Sequence, residues 1–427
     1  MNKIYNPKKE DWKSILRRPT QTVTDIESTV NSVFAEVQQF GDPTIKKYTE
    51  KFDKVALDDF EVTENKINAA SSLISGELKT AIQMAKSNIE KFHKAQMSDR
   101  IFLETMDGVA CWQEKRPIQK VGLYIPGGTA PLFSTILMLA VPATIAGCDE
   151  IVLCSPPNTE GKIDAAILYT ASLCGVTKIF KVGGIQAIAA MTFGTESIPQ
   201  VYKIFGPGNQ YVTVAKQIAT KYGIAIDMPA GPSELLVVAD DSANAAFVAS
   251  DLLSQAEHGI DSQVILVSTS KKMMIAVESE LNKQLEDLPR KEIAAKAIAN
   301  SKLIYVDNDE LALELINNYG PEHFIVCVEN EDYYVQHTRN AGSVFIGNYT
   351  PESAGDYASG TNHTLPTNGY AKQYSGVNLD SFMKSMTFQK ISKKGIQNLG
   401  ETIELMAEAE GLHAHKNAVT LRLESLK

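Results

Sequence analysis

Residues 150–184, EIVLCSPPNTEGKIDAAILYTASLCGVTKIFKVGG, decide the fold class of this chain. An apolar run at 150–156 is followed by a helical pattern at 164–175 and by a second apolar run at 178–184. Short apolar runs bounded by Gly and Pro are typical of buried strands. Their alternation with helices predicts a parallel sheet that is covered by helices.

The same alternation extends in both directions along the chain. Further strand-like segments, each followed by a helical or glycine-rich stretch, are VGLYIP (121–126), KIFGPG (203–208), LLVVAD (235–240), SQVILVS (262–268), LIYVD (303–307), FIVCVEN (324–330) and SVFIGN (343–348). The predicted fold class is therefore α/β, with two Rossmann-like parallel-sheet units and small N- and C-terminal helical segments. Neither unit carries a GxGxxG fingerprint.

The predicted domains follow from these segments. Residues 1–20 are polar and are expected to form a short arm or helix. The remaining domains are a main α/β domain at 21–123 and 235–377, a second α/β domain at 124–234, and a C-terminal segment at 378–427.

The sequence also predicts helices and a loop before and after these alternating strands and helices. Val30, Val33, Phe34 and Val37 fall on one helix face, and Gly41 is expected to end that helix. Other expected elements are a helix at 77–97, a polar loop at 349–376, a short strand after 378, and helices at 394–411 and 412–425. A loop of such length inside an enzyme is usually functional or disordered.

Composition excludes several classes of protein. The chain has 427 residues, of which 44% are hydrophobic and 22% charged, as in ordinary globular domains. A net charge of -10 without a long basic run argues against a nucleic-acid or membrane partner. The N-terminus lacks the apolar core of a signal peptide, so a cytoplasmic location is expected. The five cysteines are scattered without CxxC spacing, which disfavours disulfides and a thiolate zinc site.

Two histidine-bearing segments are the best candidates for chemistry: SQAEHG (254–259) and GPEH (320–323). Gln255 and His258 are three residues apart and so share a helix face. An imidazole and an amide oxygen resemble half of a metal site, although a histidine at a helix end would give the same pattern. Glu322 and His323 could form an acid/base pair at the end of a sheet, or an exposed polar pair in a loop.

Other histidines could complete such a site. Asp356 and His363 lie in the polar loop, and His413 and His415 lie near the C-terminus, where at most one of the two is expected to be a ligand because they point to different sides of a helix. His93 and His337 stand in charged helical surroundings and are interpreted as surface residues.

Glycine-rich turns follow several of the predicted strands. They are Pro126-Gly127-Gly128, Gly183-Gly184 and Gly206-Pro207-Gly208-Asn209. Each could let a cofactor approach the backbone at a helix N-terminus, and each could equally be an ordinary tight turn.

Eight segments, in order along nearly the whole chain, resemble the histidinol dehydrogenase family. They are VGLYIPGGTAPLFST (121–135), VGGIQAIAAM (182–191), KIFGPGN (203–209), IDMPAGPSE (226–234), SQAEHGIDSQ (254–263), GPEH (320–323), AGDYASGTNHTLPT (354–367) and EGLHAHKNAVTLR (410–422). The resemblance implies a zinc- and NAD-dependent enzyme that oxidises L-histidinol through L-histidinal to L-histidine, the last steps of histidine biosynthesis. It also implies one Zn²⁺ per subunit and a homodimer in which the C-terminal segment of one chain completes the site of the other.

The resemblance also implies roles for individual residues. The zinc ligands are Gln255, His258, Asp356 and His415, and the acid/base pair is Glu322 and His323. Substrate contacts are Ser233, Gln255, His258, His323, Asp356, His363, Glu410 and His415, and NAD contacts are Tyr124, Gln186 and Asn209.

A mechanism follows as a hypothesis from these roles. His323 removes the alcohol proton while hydride leaves to a first NAD, and Glu322 activates water to hydrate the aldehyde before a second hydride transfer. Without the resemblance, three alternatives stay open: a zinc hydrolase, a non-catalytic ligand-binding protein, and an aldehyde dehydrogenase with a cysteine nucleophile.

Overall fold

The computed structural model describes residues 1–19, 23–127 and 131–427. The chain divides into two compact units. The larger unit comprises Met1–Gln96 and Ile118–Phe382, and the smaller comprises Met97–Pro117 and Met383–Lys427.

The described residues form strands in three sheets. The strands are β1 (Asn2–Tyr5), β2 (Ile101–Met106), β3 (Val109–Pro117), β4 (Lys120–Tyr124), β5 (Glu150–Cys154), β6 (Lys178–Phe180), β7 (Lys203–Phe205), β8 (Ala225–Ile226), β9 (Glu234–Ala239), β10 (Gln263–Ser268), β11 (Lys302–Tyr305), β12 (His323–Cys327), β13 (Ser343–Ile346) and β14 (Met383–Ile391).

Helices connect most of these strands. They are α1 (Trp12–Ile15), α2 (Val23–Phe40), α3 (Asp42–Asp53), α4 (Glu64–Ala70), α5 (Gly76–Lys94), α6 (Phe133–Ala146), α7 (Ala165–Leu173), α8 (Gly184–Phe193), α9 (Gln210–Ala219), α10 (Ala245–Ala256), α11 (Lys271–Glu286), α12 (Lys291–Ala299), α13 (Asp309–Tyr319), α14 (Glu331–His337), α15 (Glu352–Tyr357), α16 (Lys393–Ala409) and α17 (His413–Glu424). None of the helices in the described part of the chain combines the length and the hydropathy needed to cross a membrane.

The six-stranded sheet of the larger unit is parallel, in the order β1-β11-β10-β9-β12-β13. Side chains of successive residues point to opposite faces of a strand. Accordingly Leu235 and Val237 of β9 pack with α10, α11 and α12, while Leu236 and Val238 pack with α1, α13 and α14. Burial on both faces explains why these strands are continuous apolar runs.

The five-stranded sheet is also parallel, in the order β6-β5-β4-β7-β8. On one face, α2, α3, α8 and α9 form a core with the strands. On the other face lie α6 and α7, and α6 is buried along most of its length beneath α5. Two helix-covered parallel sheets confirm the predicted α/β class.

Of the helices at residues 23–94, α2 and α3 share a core with this five-stranded sheet through Val30, Phe34 and Ile45, whereas α4 packs on α7 and α5 on α6. The sequence interpretation had grouped residues 21–123 with residues 235–377. As predicted, α2 ends before Gly41, whose φ of 59° lies in the left-handed region that favours glycine. The predicted domain boundaries themselves stay a prediction.

The N-terminal arm contains the short helix α1, in line with the prediction, and also a strand that the sequence interpretation missed. Its first residues form β1, an edge strand of the six-stranded sheet in which Asn2 pairs with Lys302 of β11. Trp12 and Leu16 then pack into the sheet's core. The four-residue strand is too short to give a clear hydrophobic period, and its partner β11 lies about 300 residues farther along the chain.

The smaller unit contains an antiparallel sheet in the order β14-β3-β2, followed by α16 and α17. Strand β14 and both helices lie where the sequence predicts a short strand and two helices. The hairpin of β2 and β3 was not predicted, although its turn residues Asp107-Gly108 are a strong hairpin signal.

Candidate active site

The amino-terminal edge of the six-stranded sheet gathers the main candidate residues. Glu234 begins β9 and His323 begins the neighbouring strand β12, where it pairs with Leu235. Helix α10 returns the chain from the carboxyl edge, so Gln255 in its last turn reaches the same place. The sequence interpretation relied on ligand binding at sheet ends, a rule for carboxyl edges, whereas Glu322 and His323 lie at the amino edge.

The main chain of Glu234 holds three of these side chains. Its N–H donates to Oε2 of Glu322 at 2.8 Å. Its carbonyl oxygen accepts from Nε2 of Gln255 at 3.2 Å and lies 3.2 Å from Nδ1 of His323. Nε2 of Gln255 is also 3.0 Å from that Nδ1. Glu322 and His323 are 7% and 3% exposed, so the alternative of an exposed polar pair is wrong.

The side chain of Glu234 is itself anchored. Nη2 of Arg18 donates to its Oε2 at 2.8 Å, and the N–H of Asn368 donates to its Oε1 at 2.7 Å. The guanidinium of Arg18 lies 3.9 Å from the ring centroid of Tyr319. Such a buried, hydrogen-bonded ion pair fixes the strand end whose main chain orients the acid/base candidates.

Three carboxylates surround the imidazole of His323. Its Nδ1 is 3.7 Å from Glu322 and 3.8 Å from Glu352, and its Nε2 is 3.6 Å from Asp356. Burial alone would lower the pKa of His323, but the carboxylates of Glu352 and Glu322 outweigh it and raise that pKa well above its ordinary value. We call these residues, together with Gln255, the buried centre.

Buried polar atoms of the buried centre lack hydrogen-bond partners within the described residues. They are Oε1 of Gln255, Nε2 of His323 and Oε1 of Glu352. Unsatisfied buried polar atoms are rare in folded proteins and call for an explanation such as a bound ion. His323, Glu352 and Asp356 each offer one ligand atom, and these atoms lie within 4.8 Å of one another. This negatively charged, unsatisfied group is suited to a cation.

Helix α15 supplies two members of the buried centre. Glu352 and Asp356 are four residues apart and therefore share a helix face. Burial raises the pKa of Glu352 to about 8. Burial would also raise the pKa of Asp356, but the imidazoles of His323 and His363 outweigh it and lower that pKa. Glu352 was missed in the sequence, although its i, i+4 spacing from Asp356 was a usable signal.

The predicted residues His258 and His363 lie near Asp356. The imidazole of His258 contributes to the lowered pKa of Asp356, and its side chain is exposed. Nδ1 of His363 is 2.8 Å from the main-chain oxygen of Asp356, and its Nε2 is 3.2 Å from Oγ1 of Thr135 in α6. Burial lowers the pKa of His363. Its neutral ring thus links α15 to the helix that covers the five-stranded sheet.

The remaining predicted substrate and metal residues have simpler surroundings. Ser233 immediately precedes β9 and is partly buried. Glu410 follows α16 and His415 lies in the first turn of α17, both in the smaller unit, and both side chains are exposed.

A second site lies at the carboxyl edge of the five-stranded sheet. It is a cavity of about 870 Å³, and its described lining includes all three predicted NAD contacts, Tyr124, Gln186 and Asn209. We call it the carboxyl-edge cavity. Strands β4 and β7, which end beside Tyr124 and Asn209, are neighbours from which the strand order runs in opposite directions. This is the topological switch point where open α/β sheets bind ligands.

The polar side chains of this cavity are already partly engaged. The hydroxyl oxygen of Tyr124 accepts from the N–H of Gly184 at 3.0 Å. Oδ1 of Asn209 accepts from the N–H of Val212 at 3.1 Å and so caps α9. Nε2 of Gln186 donates to Oδ2 of Asp53 at 3.3 Å, while its Oε1 is buried without a partner among the described residues.

For the glycine-rich turns the sequence offered two interpretations, an ordinary tight turn and a place where a cofactor approaches the backbone. Gly206 has a φ of 127°, and a Cβ there would lie 2.1 Å from the main-chain oxygen of Tyr124, so it serves a tight strand-to-helix turn. Gly184 begins α8 at the cavity wall. Gly128 lies outside the described residues.

One of the two histidines interpreted as surface residues is not at the surface. His93 is fully buried on the stripe of α5 formed with Ile82, Ala85 and Ile89. Its Nδ1 lies 2.9 Å from the main-chain oxygen of Ile89. His337 is exposed, as expected.

Comparisons with known proteins agree with one another. The sequence model of the family described as histidinol dehydrogenase matches residues 16–423. A histidinol dehydrogenase of Bacteroides thetaiotaomicron is 59% identical over 427 residues, covering 100% of both chains. One from Haemophilus influenzae is 54% identical over 417 residues, covering 98% of this chain and 97% of that one. The crystal structure of histidinol dehydrogenase from Elizabethkingia anophelis superposes with a TM-score of 0.97 at 56% identity, covering 100% of this chain and 98% of the other.

Proposed function

This chain belongs to the histidinol dehydrogenase family, whose enzymes act in histidine biosynthesis, and from that premise we propose that it oxidises L-histidinol through L-histidinal to L-histidine with NAD and Zn²⁺. The observation that carries the proposal is the buried centre. There a histidine base, a neighbouring glutamate and unsatisfied metal-ligating atoms converge in one place. Proton transfer and cation binding both require such groups.

The residues proposed to hold zinc fit a nitrogen- and oxygen-binding dication. Gln255 brings a buried amide oxygen that has no partner among the described residues, and Asp356 brings a carboxylate. His258 and, from a second copy of the chain, His415 bring imidazoles. Two imidazoles, one amide and one carboxylate form a donor set that suits Zn²⁺. The ion would act there as a Lewis acid toward the amino alcohol and would fix its orientation.

His323 is proposed as the base that removes the proton of the substrate hydroxyl. With the hydrogen on Nδ1, that nitrogen donates to the carbonyl oxygen of Glu234 at 3.2 Å, whereas Nε2 is buried and has no hydrogen-bond partner in the described ranges. Asp356, at 3.6 Å, lies beyond hydrogen-bond distance of that nitrogen. Nε2 is therefore the atom placed to receive a proton, and the raised pKa of His323 makes its imidazole a strong proton acceptor whenever the ring is neutral.

Glu322 is proposed to activate the water that hydrates the aldehyde. Its Oε2 accepts the N–H of Glu234 at 2.8 Å, which fixes the carboxylate beside His323. A held carboxylate with a second, uncommitted oxygen can take a proton from water while a neighbouring imidazole handles the alcohol. In this proposal the adjacent residues Glu322 and His323 act in the same active site on different groups, the glutamate on water and the histidine on the alcohol.

The carboxyl-edge cavity is proposed to bind NAD. Its volume of about 870 Å³ lies in the range of small-molecule and cofactor sites. The cavity would hold one NAD for each oxidation: a first NAD would take hydride from the carbinol carbon, and a second, bound after the first has left, would take hydride from the hydrated aldehyde. Tyr124, Gln186 and Asn209 supply polar groups to the wall, and His363 with Thr135 connects that side of the molecule to the buried centre.

A homodimer with composite sites is part of the same proposal. The smaller unit leaves large apolar side chains exposed on β2, α16 and α17: Ile101, Phe102, Leu103, Leu405, Met406 and Leu421. Exposed apolar side chains in such number mark interaction surfaces. They support a second copy as the occupant, with residues 378–427 of one chain completing the site of the other. We also propose that the protein is located in the cytoplasm.

Thiol chemistry has no place in this proposal. Cys327 ends β12, whereas His323 begins it, so the thiol lies at the opposite edge of the sheet. Burial raises the pKa of Cys327 to about 12, and the thiolate that a cysteine nucleophile needs is therefore disfavoured.

One assay tests the proposed function. Purified protein is incubated with L-histidinol and NAD, with and without a chelator, while reduced nicotinamide is followed by absorbance and histidine by chromatography. The expected result is two reduced cofactors per histidine formed, with activity abolished by the chelator and restored by Zn²⁺. Hydrolytic turnover that needs no NAD would instead support a zinc hydrolase.

A further inference from the structure

An unassigned carboxylate lies in the wall of the carboxyl-edge cavity. Asp53 is the last residue of α3, and it lines the cavity together with Tyr124 and Gln186. Its Oδ2 accepts from Nε2 of Gln186 at 3.3 Å. None of the roles proposed for the reaction uses this side chain.

The position is unfavourable for a negative charge. The C-terminal end of a helix carries partial negative charge, so a carboxylate there is destabilised. Burial raises the pKa of Asp53 to about 6, and no cation in the described part of the chain pairs with it. A carboxylate kept in such a place is a candidate for a binding role.

The surroundings of Asp53 favour hydroxyl groups as hydrogen-bond donors to its carboxylate. A carboxylate only accepts hydrogen bonds, and a vicinal diol donates two of them side by side. In NAD-binding α/β proteins an acidic residue receives the ribose hydroxyls in this way, whereas a 2′-phosphate is met by a cation. Lys162 is the basic residue in the cavity's described lining, and its exposed amine pairs with Glu160 at 2.9 Å.

The two faces of the sheet indicate which ribose lies near Asp53. The nicotinamide must approach the buried centre, which His363 connects to Thr135 of α6. Helix α6 covers one face of the five-stranded sheet, whereas α3 and α8, which carry Asp53 and Gln186, pack on the other. The adenosine end of the dinucleotide is therefore the end that falls beside Asp53.

We propose that Asp53 accepts hydrogen bonds from the adenosine ribose hydroxyls of the dinucleotide and thereby selects NAD over its 2′-phosphorylated counterpart. The inference rests on the proposed function, which assigns the carboxyl-edge cavity to NAD. Gln186 is the positioning partner, since its amide N–H holds one oxygen of the carboxylate and leaves the other for ribose.

The test compares Asp53→Asn with the unmodified protein in binding and in turnover. AMP and adenosine 2′,5′-bisphosphate are titrated by calorimetry, and kcat/KM is measured with NAD and with NADP. Loss of a charged hydrogen-bond acceptor is expected to weaken AMP binding about 10- to 100-fold, while binding of the bisphosphate improves or stays the same. The ratio of kcat/KM for NAD to that for NADP should fall by a similar factor.

The matched control is Glu50→Gln, which removes an exposed charge from the same helix outside the cavity lining. It should change neither binding nor the NAD-to-NADP ratio. Asp53→Ala guards against an altered fold, and both Asp53 variants should melt no lower than the parent, because the buried charge that they remove is destabilising. Equal losses with NAD and NADP, or unchanged AMP binding, would overturn the inference. Absence of NAD reduction in the unmodified protein would contradict the proposed function instead, while the nucleotide titrations would still decide the role of Asp53.

Discussion

His323 lies within hydrogen-bond or ion-pair range of groups from three other segments of the chain, β9, α10 and α15. Glu234, Gln255, Glu352 and Asp356 surround it, with the distances to their nearest atoms between 3.0 and 3.8 Å. Its ring is therefore fixed in orientation, and one nitrogen stays free. Catalytic bases need this kind of support, because small displacements of a base greatly reduce proton transfer.

The roles proposed for Glu322 and His323 can be separated by a single substitution. Glu322→Gln keeps the acceptor for the N–H of Glu234 and removes the charge. Because a general base is lost from hydration only, we expect oxidation of L-histidinal to fall by about 10²-fold or more and oxidation of L-histidinol to fall much less. The two half-reactions are measured separately by stopped-flow absorbance of reduced nicotinamide.

Glu329→Gln, at an exposed carboxylate beyond the other end of β12, is the control and should leave both rates unchanged. Equal loss in both half-reactions would remove the role assigned to Glu322.

Separate substitution of two nearby histidines of α17 tests the proposed metal ligands. His413 and His415 are both exposed near the start of this helix, and His415 is the proposed ligand. His415→Asn should lower bound zinc at least about 10-fold after dialysis, because one of four ligands is lost. His413→Asn, the matched control, should retain zinc fully. Metal content is measured by atomic emission, and unchanged zinc in the first variant would refute the assignment.

At the scale of elements, residues at helix ends supply most of the side chains of the buried centre. Gln255 comes from the last turn of α10, and Glu352 and Asp356 come from the two ends of the short helix α15. Parallel strands joined by helices return every helix C-terminus to the amino edge of the sheet. The buried centre therefore forms from the C-terminal end of α10, both ends of α15 and the start of β12.

The C-terminal end of α3 predicts a dependence of stability on pH. Burial raises the pKa of Asp53 from 3.8 to about 6 in the folded protein. The folded state then binds a proton more tightly than the unfolded state, so the free energy of unfolding falls as the pH rises from about 4 to 6 and is constant above. Asp53→Asn should lack this decrease.

The measurement is urea unfolding of both proteins at pH 4.5 and pH 7 without nucleotide. An identical pH dependence in the variant would show that Asp53 ionises with its ordinary pKa. Glu50→Gln again serves as the reference, because its exposed carboxylate lies on the same helix.

At the scale of the whole molecule, the proposed site is divided between two copies of the chain. Glu322 and His323 belong to the larger unit, and Glu410 and His415 to the smaller. If the smaller unit of one copy completes the site of the other, two differently inactivated chains can restore one working site between them.

This arrangement predicts complementation between Glu322→Gln and His415→Asn chains. Mixed dimers contain one site with both defects and one with neither. After unfolding and refolding of an equal mixture, histidine formation should recover to about a quarter of that of the unmodified protein, because half of the dimers are mixed. The homogeneous variants refolded alone are the controls. No recovery in mixtures shown to contain mixed dimers would place Glu322 and His415 of one site in the same chain.

The sequence by itself determined the two parallel sheets. The central residues of β5, β9 and β10 form uninterrupted apolar runs because both faces of these strands are buried. Such a run can be recognised from the sequence alone. The order of the strands within each sheet, and the joining of β1 to β11, required the tertiary structure. Pairing partners are fixed by contacts between distant segments that leave no local trace.

The same division holds for the candidate site. Its histidines and acids carried a recognisable pattern, and the three residues predicted to contact NAD do line one cavity. The anchoring by Glu234 through its main chain, and the burial of Glu352 and His93, were decided only by the folded structure. Main-chain groups are identical in every residue, and burial depends on what the rest of the chain places around a side chain.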